Sequence, residues 1–148
     1  MKVVKGQLTS GNYEILKSIV KNNNSETFLA RRISDDMQVI IKKSLASSDV
    51  YSGGISKTGH EYDILKNLDH EGIPKVFEVL YDGNNYGLVK EHIEGHDLKE
   101  FIFKGKPGID EVLKIAIQAA DILHYIHQKG VVHLSLIHIS EPTRLRRI

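Results

Sequence analysis

Cysteine and tryptophan are absent from the 148-residue chain, and proline occurs only three times. The lack of cysteine excludes disulfide bonds, thiolate metal sites and a cysteine nucleophile. No apolar run reaches the roughly 18 to 20 residues that a membrane-spanning helix needs, so we expect no membrane span. The first residues, MKVVKGQLTSGNYE, contain no apolar stretch of signal-peptide length, and we therefore predict a cytoplasmic protein.

The chain also lacks an excess of charge of one sign. It has 20 Lys and Arg residues against 19 Asp and Glu residues, which gives a formal net charge of +1. No basic stripe with interleaved aromatic residues occurs, so we do not expect nucleic acid as a partner. With 41% hydrophobic and 26% charged residues, the composition is typical of an ordinary globular domain and excludes a disordered chain.

Alternating and β-branched runs between turn-forming residues predict five strands. The polar stretch Lys21–Ser25 and the sequence DGNN at residues 82–85 predict hairpin turns between neighbouring strands. The Gly- and Ser-rich stretch Ala46–Gly59 is interpreted as a connection. The predicted strands are Tyr13–Val20, Glu26–Arg32, Gln38–Ser44, Lys75–Leu80 and Tyr86–Glu91.

Apolar residues at helical spacing predict three helices, at His60–Leu68, Asp97–Phe103 and Asp110–Lys129. Asp110 is the predicted N-cap of the last helix and Gly130 its predicted C-cap. Three strands, a helix, two strands and then helices make an α+β protein.

Four stretches in the correct order resemble the first half of a eukaryotic-type (serine/threonine) protein kinase domain. The resemblance extends from Tyr13 to His133. The four stretches are VIIK at Val39–Lys42, EYDILKNLDHEGIPKVFEV at residues 61–79, LVKEHIEGHDL at residues 88–98 and IAIQAADILHYIHQKGVVH at residues 115–133. The resemblance implies a kinase-like N-terminal lobe at 13–91, after an extension at 1–12. It also implies a hinge and the first helices of an incomplete C-terminal lobe at 92–133.

The resemblance also implies a nucleotide site. Lys42 corresponds to the lysine that contacts ATP phosphates, and Glu61 corresponds to its ion-pair partner on the facing helix. Backbone groups of the hinge would face the adenine, and Asp97 either reaches the ribose or simply caps the helix that begins there. The other expected nucleotide-binding residues are Ile19, Val20, Thr27, Ile40, Glu91 and Ile93. ATP and Mg²⁺ are the cofactors expected of the full-length parent, whose protein substrate is unknown.

Several positions depart from the family pattern. The glycine-rich loop corresponds to VKNNNSETF at residues 20–28, where Val20, Asn22 and Ser25 occupy the glycine positions. Glycine lets a loop approach phosphate closely, which Val20 would hinder, although Asn can adopt a positive φ. Ile40 replaces a small residue over the adenine, and Lys90 occupies the gatekeeper position.

The departures keep two alternatives open. One is a pseudokinase or regulatory nucleotide-binding module, since the glycine-poor loop and GHDLKEFI also resemble the kinase-like module of large bacterial multidomain sensor histidine kinases. The other is a small-molecule kinase of the aminoglycoside or choline type, which shares this lobe.

The last 15 residues do not follow the family pattern. His133 corresponds to the histidine of the His-Arg-Asp motif, but the catalytic Asp position is occupied by Ser135. The catalytic set is therefore incomplete, no metal ligand is assigned, and we expect the chain as given to be inactive. LSLIHISEPTR at residues 134–144 resembles one reading frame of a sequencing adapter. We therefore interpret residues 134–148 as adapter-derived and exclude them from reasoning about the fold.

Overall fold

The structure is a computed structural model that describes residues 11–45, 56–81, 85–95 and 98–131. The chain divides into two compact units, Met1–Gly95 and His96–Ile148. The first unit contains β1 (Tyr13–Lys21), β2 (Ser25–Arg32), β3 (Gln38–Leu45), α1 (Lys57–Leu65), β4 (Val76–Tyr81) and β5 (Asn85–Glu91). The second contains α2 (Leu98–Gly105) and α3 (Ile109–Gln128). The predicted α+β class and order of elements are confirmed.

The five strands form one antiparallel sheet in the order β1-β2-β3-β5-β4. Alternate residues of a strand point to opposite faces, so one face can be buried while the other stays available. In β3, Val39 and Ile41 are almost fully buried, whereas the alternate residues Ile40 and Lys42 are half-buried. The buried cluster on the inner face comprises Tyr13, Ile15, Phe28, Ala30, Val39, Ile41, Leu80 and Val89.

The sheet is curled, because its two edge strands β1 and β4 meet. The hydroxyl of Tyr13 in β1 donates a hydrogen bond to the Glu78 carboxylate in β4. Nearby, the Arg32 guanidinium lies 5.0 Å from the centre of the Phe77 ring, a cation–π distance. Register shifts between Ile15 and Lys17, between Ser18 and Val20, and between Val76 and Glu78 mark bulges in both edge strands. Bulges increase the local twist of a strand, which brings the edges together.

Helix α1 begins earlier than the sequence pattern predicts. Ser56 is its N-cap, and the Ser56 side chain accepts a hydrogen bond of 3.0 Å from the Gly59 amide. Residues 57–59, which were assigned to the connection, therefore belong to the first helical turn. The N-cap hydrogen bond satisfies an amide that has no partner within the helix. The helix packs against β4 and β5.

The boundaries of α3 also require a correction. Gly108, and not Asp110, is the N-cap, and the Glu111 carboxylate accepts a hydrogen bond of 2.9 Å from the Gly108 amide. At the other end Lys129, and not Gly130, is the C-cap; Gly130 follows it with φ of 76°, and its amide donates to the His127 carbonyl. The helix stops there because only glycine adopts this left-handed conformation at little cost. None of the helices in the described ranges has the length and apolar composition that a bilayer span requires.

We predict that Tyr13→Phe lowers the free energy of unfolding by about 1–2 kcal/mol, because the half-buried Glu78 carboxylate loses its donor. Tyr13 is only 3% exposed. Ser18→Ala is the matched control, since it removes an exposed hydroxyl-to-carboxylate hydrogen bond to Glu26. The control should cost less than about 0.5 kcal/mol. Urea unfolding of the full chain measures both, and equal losses would contradict a special contribution of Tyr13.

Stability should also depend on Tyr13 at alkaline pH. Burial of the ring raises the pKa of Tyr13 from 10.0 to about 12, and the hydrogen bond to Glu78 and its negative charge add to the shift. The unfolded chain therefore loses this proton first, so the contribution is complete below pH 10 and is lost as the pH rises through 12. We predict that wild type loses more stability than Tyr13→Phe between about pH 9 and about pH 11.5. Parallel losses in the two proteins would show that other groups cause the decline.

Candidate nucleotide site

One face of the sheet points away from the buried cluster and carries four of the predicted site residues, Val20, Thr27, Ile40 and Lys42. Cross-strand partners in an antiparallel sheet project to the same face. The register therefore places Thr27, Lys42 and Leu88 in one row across β2, β3 and β5. Val20 of β1 lies opposite Thr27 and extends the row. We refer to the face that carries this row as the outer face.

An ion pair joins the outer face to helix α1. The Lys42 Nζ atom lies 2.8 Å from a carboxylate oxygen of Glu61, the partner that the family resemblance implies for it. The two side chains are 39% and 36% exposed, so solvent still reaches both groups. The Ser56 cap sets where the helix begins, and packing on β4 and β5 places Glu61 above β3. Two separate elements thus bring the two charges together.

The ion pair is suited to positioning a cation. An ion pair that is this exposed adds only about 0–1 kcal/mol to stability, because water already solvates both charges. Its effect on geometry is greater, since the carboxylate limits the conformations of a long, flexible ammonium side chain. An ammonium group held in this way can contact an anionic ligand such as phosphate at a defined position.

Leu88 is a buried apolar residue beside the ion pair, and the sequence pattern did not predict it as part of the site. It lies directly opposite Lys42 and is fully buried, although it does not belong to the inner cluster. Helix α1 packs against β5, and its Glu61 reaches Lys42, the cross-strand neighbour of Leu88. A signal was present in the sequence, because LVK places two apolar residues together where strict alternation would give one.

A second row on the outer face contains Leu29, Ile40 and Lys90. Ile40 and Lys90 lie opposite each other on β3 and β5, and both are half-buried. Within the described residues Lys90 forms no ion pair. This end of the face therefore combines a branched apolar side chain with a second cation.

The predicted hinge follows at the end of β5. The Glu91 amide donates a hydrogen bond of 2.8 Å to the Lys75 carbonyl, and the Glu91 carboxylate accepts one of 3.0 Å from the Lys75 amide. A ligand would therefore have to use the carbonyl group of Glu91. Ile93 lies beyond the strand and is 59% exposed. Asp97 and His133, which were also assigned to the site, lie outside the described residues.

The apolar residues predicted near the β1–β2 turn are open to solvent. Ile19 lies at one of the β1 register shifts and is 48% exposed, while Val20 is 56% exposed. Asn22 does not use the positive φ that asparagine can adopt. In the described ranges the non-glycine residues with positive φ are Asp36 and Lys106.

Two hollows in the first unit lie away from Lys42. One of about 220 Å³ lies at the β1–β2 turn, where Lys43 and Glu26 line it from the inner-face side of their strands. The other, of about 390 Å³, surrounds Tyr13, Arg32 and Glu78 where the edge strands meet. Neither includes the Lys42–Glu61 pair. The described part of the chain contains no group of three or more His, Asp or Glu residues arranged to hold a metal ion.

Comparison with known proteins identifies the family to which the chain belongs. The family model of the protein kinase domain matches residues 13–136. The chain is 28% identical over 130 residues to Aurora/IPL1-related protein kinase 2 of Caenorhabditis elegans, covering 86% of this chain and 42% of that protein. It is 30% identical over 129 residues to serine/threonine-protein kinase PrkC of Bacillus subtilis, covering 86% of this chain and 20% of that protein. The chain thus spans less than half the length of these curated relatives.

A solved structure shows the same fold. The chain superposes on Rad53 1-466 in complex with AMP-PNP with a TM-score of 0.71 and 21% sequence identity. The superposition covers 82% of this chain and 32% of the Rad53 chain.

Proposed function

Because the chain belongs to the protein kinase domain family, we propose that it forms the nucleotide-binding part of a serine/threonine-type protein kinase. Such an enzyme transfers the γ-phosphoryl group of ATP to a protein hydroxyl. The observation that carries the proposal is the 2.8 Å ion pair between Lys42 and Glu61 on the outer face. In this chemistry catalysis consists largely of positioning and of neutralising charge on the phosphates.

Each part of the outer face has a proposed role. Lys42 binds the α- and β-phosphates, and Glu61 orients its ammonium group. Val20, Thr27 and Ile40 contact the nucleotide from the sheet. Farther along, the carbonyl of Glu91 and the backbone of Ile93 face the adenine, with Ile19 at the edge of the site and Asp97 near the ribose.

The described residues suit ATP better than they suit Mg²⁺. Lys42 offers a positioned cation for phosphate, and the face around it is open. Mg²⁺ requires oxygen ligands, chiefly carboxylates, and neutralises phosphate charge when it is bound. The described residues contain no cluster of three or more His, Asp or Glu side chains that could hold a metal ion, so we assign no Mg²⁺ ligand among them.

We also propose that the chain as given binds nucleotide without transferring phosphate. Ser135 occupies the position at which the family resemblance requires a catalytic Asp, and a serine cannot accept the substrate proton at neutral pH as a carboxylate does. Residues 134–148, which resemble an adapter, lie outside the described residues. A full-length parent that continues after His133 with a catalytic Asp, an Asn and a DFG sequence would be an active kinase, and a parent that lacks them would be a pseudokinase.

A regulatory nucleotide-binding module is the second candidate. Lys90 lies opposite Ile40 and favours this second candidate. A lysine and a branched side chain leave less space for adenine at this end of the outer face. The small-molecule kinase alternative has no such observation in its favour. The two curated relatives described above are protein kinases.

The proposed site predicts that Lys42→Ala weakens ATP binding at least about tenfold, because the ammonium group that contacts phosphate is lost. Lys43→Ala is the matched control, since this neighbouring lysine projects to the opposite face. The control should change the ATP dissociation constant by less than about twofold. Isothermal titration calorimetry on the full chain measures both, and equal losses in the two variants would contradict the assignment of the outer face.

The proposal also predicts no phosphoryl transfer by the chain as given. Incubation with radiolabelled ATP, Mg²⁺ and a mixture of protein substrates should leave the proteins unlabelled, because the position of the catalytic base is a serine. Lys42→Ala serves as the control for contaminating kinases. Labelling that occurs with wild type and disappears with Lys42→Ala would show that the chain is an active kinase.

A further inference from the structure

The side chain of Asn22 closes the β1–β2 turn. Strand β1 ends at Lys21 and β2 begins at Ser25. The Asn22 amide donates a hydrogen bond of 2.9 Å to the Ser25 carbonyl. The Asn22 Oδ1 atom accepts hydrogen bonds from the Asn24 amide at 3.1 Å and the Ser25 amide at 2.8 Å. It also accepts one from the Ser25 hydroxyl at 3.0 Å. A single carboxamide oxygen thus collects three donors.

The hydrogen bonds replace the usual way of closing a short hairpin. Two-residue hairpin turns normally need positive φ at one or both central residues. Neither Asn23 nor Asn24 has a positive φ. Here the Asn22 side-chain oxygen accepts hydrogen bonds from the Asn24 and Ser25 amides and so stabilises the turn. Short polar side chains often bond to the backbone of a turn in this way.

The turn lies in the stretch that corresponds to the phosphate-covering loop. In that loop backbone amides are the donors available to phosphate oxygens. Here two of the amides already have an acceptor from the same chain. These two amides are therefore occupied before any nucleotide arrives.

We propose that Asn22 acts as an internal substitute for phosphate, which holds the turn closed and lowers the affinity for nucleoside triphosphates. The inference rests on the proposed nucleotide site. A phosphate group must displace the carboxamide oxygen to reach the amides of Asn24 and Ser25. It can do so because an anionic phosphate oxygen is a stronger acceptor than a neutral carboxamide. The net gain in binding free energy is nevertheless smaller than it would be if the two amides had no acceptor within the protein.

The test compares ATP with adenosine, which lacks phosphates, in calorimetric titrations of the full chain. Asn22→Gly should bind ATP about threefold to tenfold more tightly than wild type and leave adenosine binding unchanged. Asn23→Gly is the matched control for added backbone freedom, since the Asn23 side chain makes no hydrogen bond to any described residue. This control should bind ATP within about twofold of wild type.

A second variant separates loss of the acceptor from loss of the turn. Asn22→Asp keeps an acceptor at the same position and adds a negative charge that repels phosphate, so it should bind ATP more weakly than wild type. Hydrogen exchange of the Ser25 amide should slow or stay the same in this variant and accelerate in Asn22→Gly.

Two results would overturn the inference: unchanged ATP affinity in Asn22→Gly, or equal changes for ATP and adenosine. Lys42→Ala, titrated in the same series, distinguishes this failure from failure of the proposed function. If Lys42→Ala weakens ATP binding while Asn22→Gly has no effect, the nucleotide site stands and only the role of Asn22 is wrong. If neither variant changes ATP binding, both proposals fail.

Discussion

The alternation of side chains along β3 is the constraint on which the rest of the structure depends. Burial of Val39 and Ile41 in the inner cluster forces Ile40 and Lys42 onto the other face, because successive side chains of a strand point in opposite directions. A one-residue slip of the register would bury the lysine and expose the core. Core and candidate site are therefore two consequences of one pairing, and any sequence that stabilises the sheet in this register also presents the ammonium group.

The curl of the sheet and the position of α1 turn that face into a candidate site. Bulges in β1 and β4 bring Tyr13 to Glu78, so the inner face closes around its own core. The outer face stays available, and α1 packs against β4 and β5 so that Glu61 reaches Lys42. The ion pair adds little stability by itself, since both groups are more than a third exposed. Its geometry is determined by elements that apolar packing holds in place.

Local patterns predicted the elements well and their ends less well. Period-two runs and turn residues identified all five strands, and helical spacing identified all three helices. The errors at Ser56 and Gly108 have a common cause, because an N-cap is selected by a hydrogen bond to a free amide and not by the first apolar residue. The resemblance to kinases paired Lys42 with Glu61, a contact across 19 positions that periodicity could not have indicated.

By itself the sequence determined the class of fold and the order of its elements, because these follow from periodicity and turn chemistry. The pairing of Lys42 with Glu61 came from the resemblance to protein kinases. Tertiary structure decided what those patterns leave open: the burial of Leu88 on the outer face, the hydrogen bond from Tyr13 to Glu78, and the hydrogen bonds from two loop amides to Asn22. The first depends on packing between separate elements, and the second on how a curled sheet brings its two edge strands together. The third depends on the backbone conformation of a turn, since one asparagine can either adopt a positive φ or accept hydrogen bonds with its side chain, and only the folded hairpin selects between them.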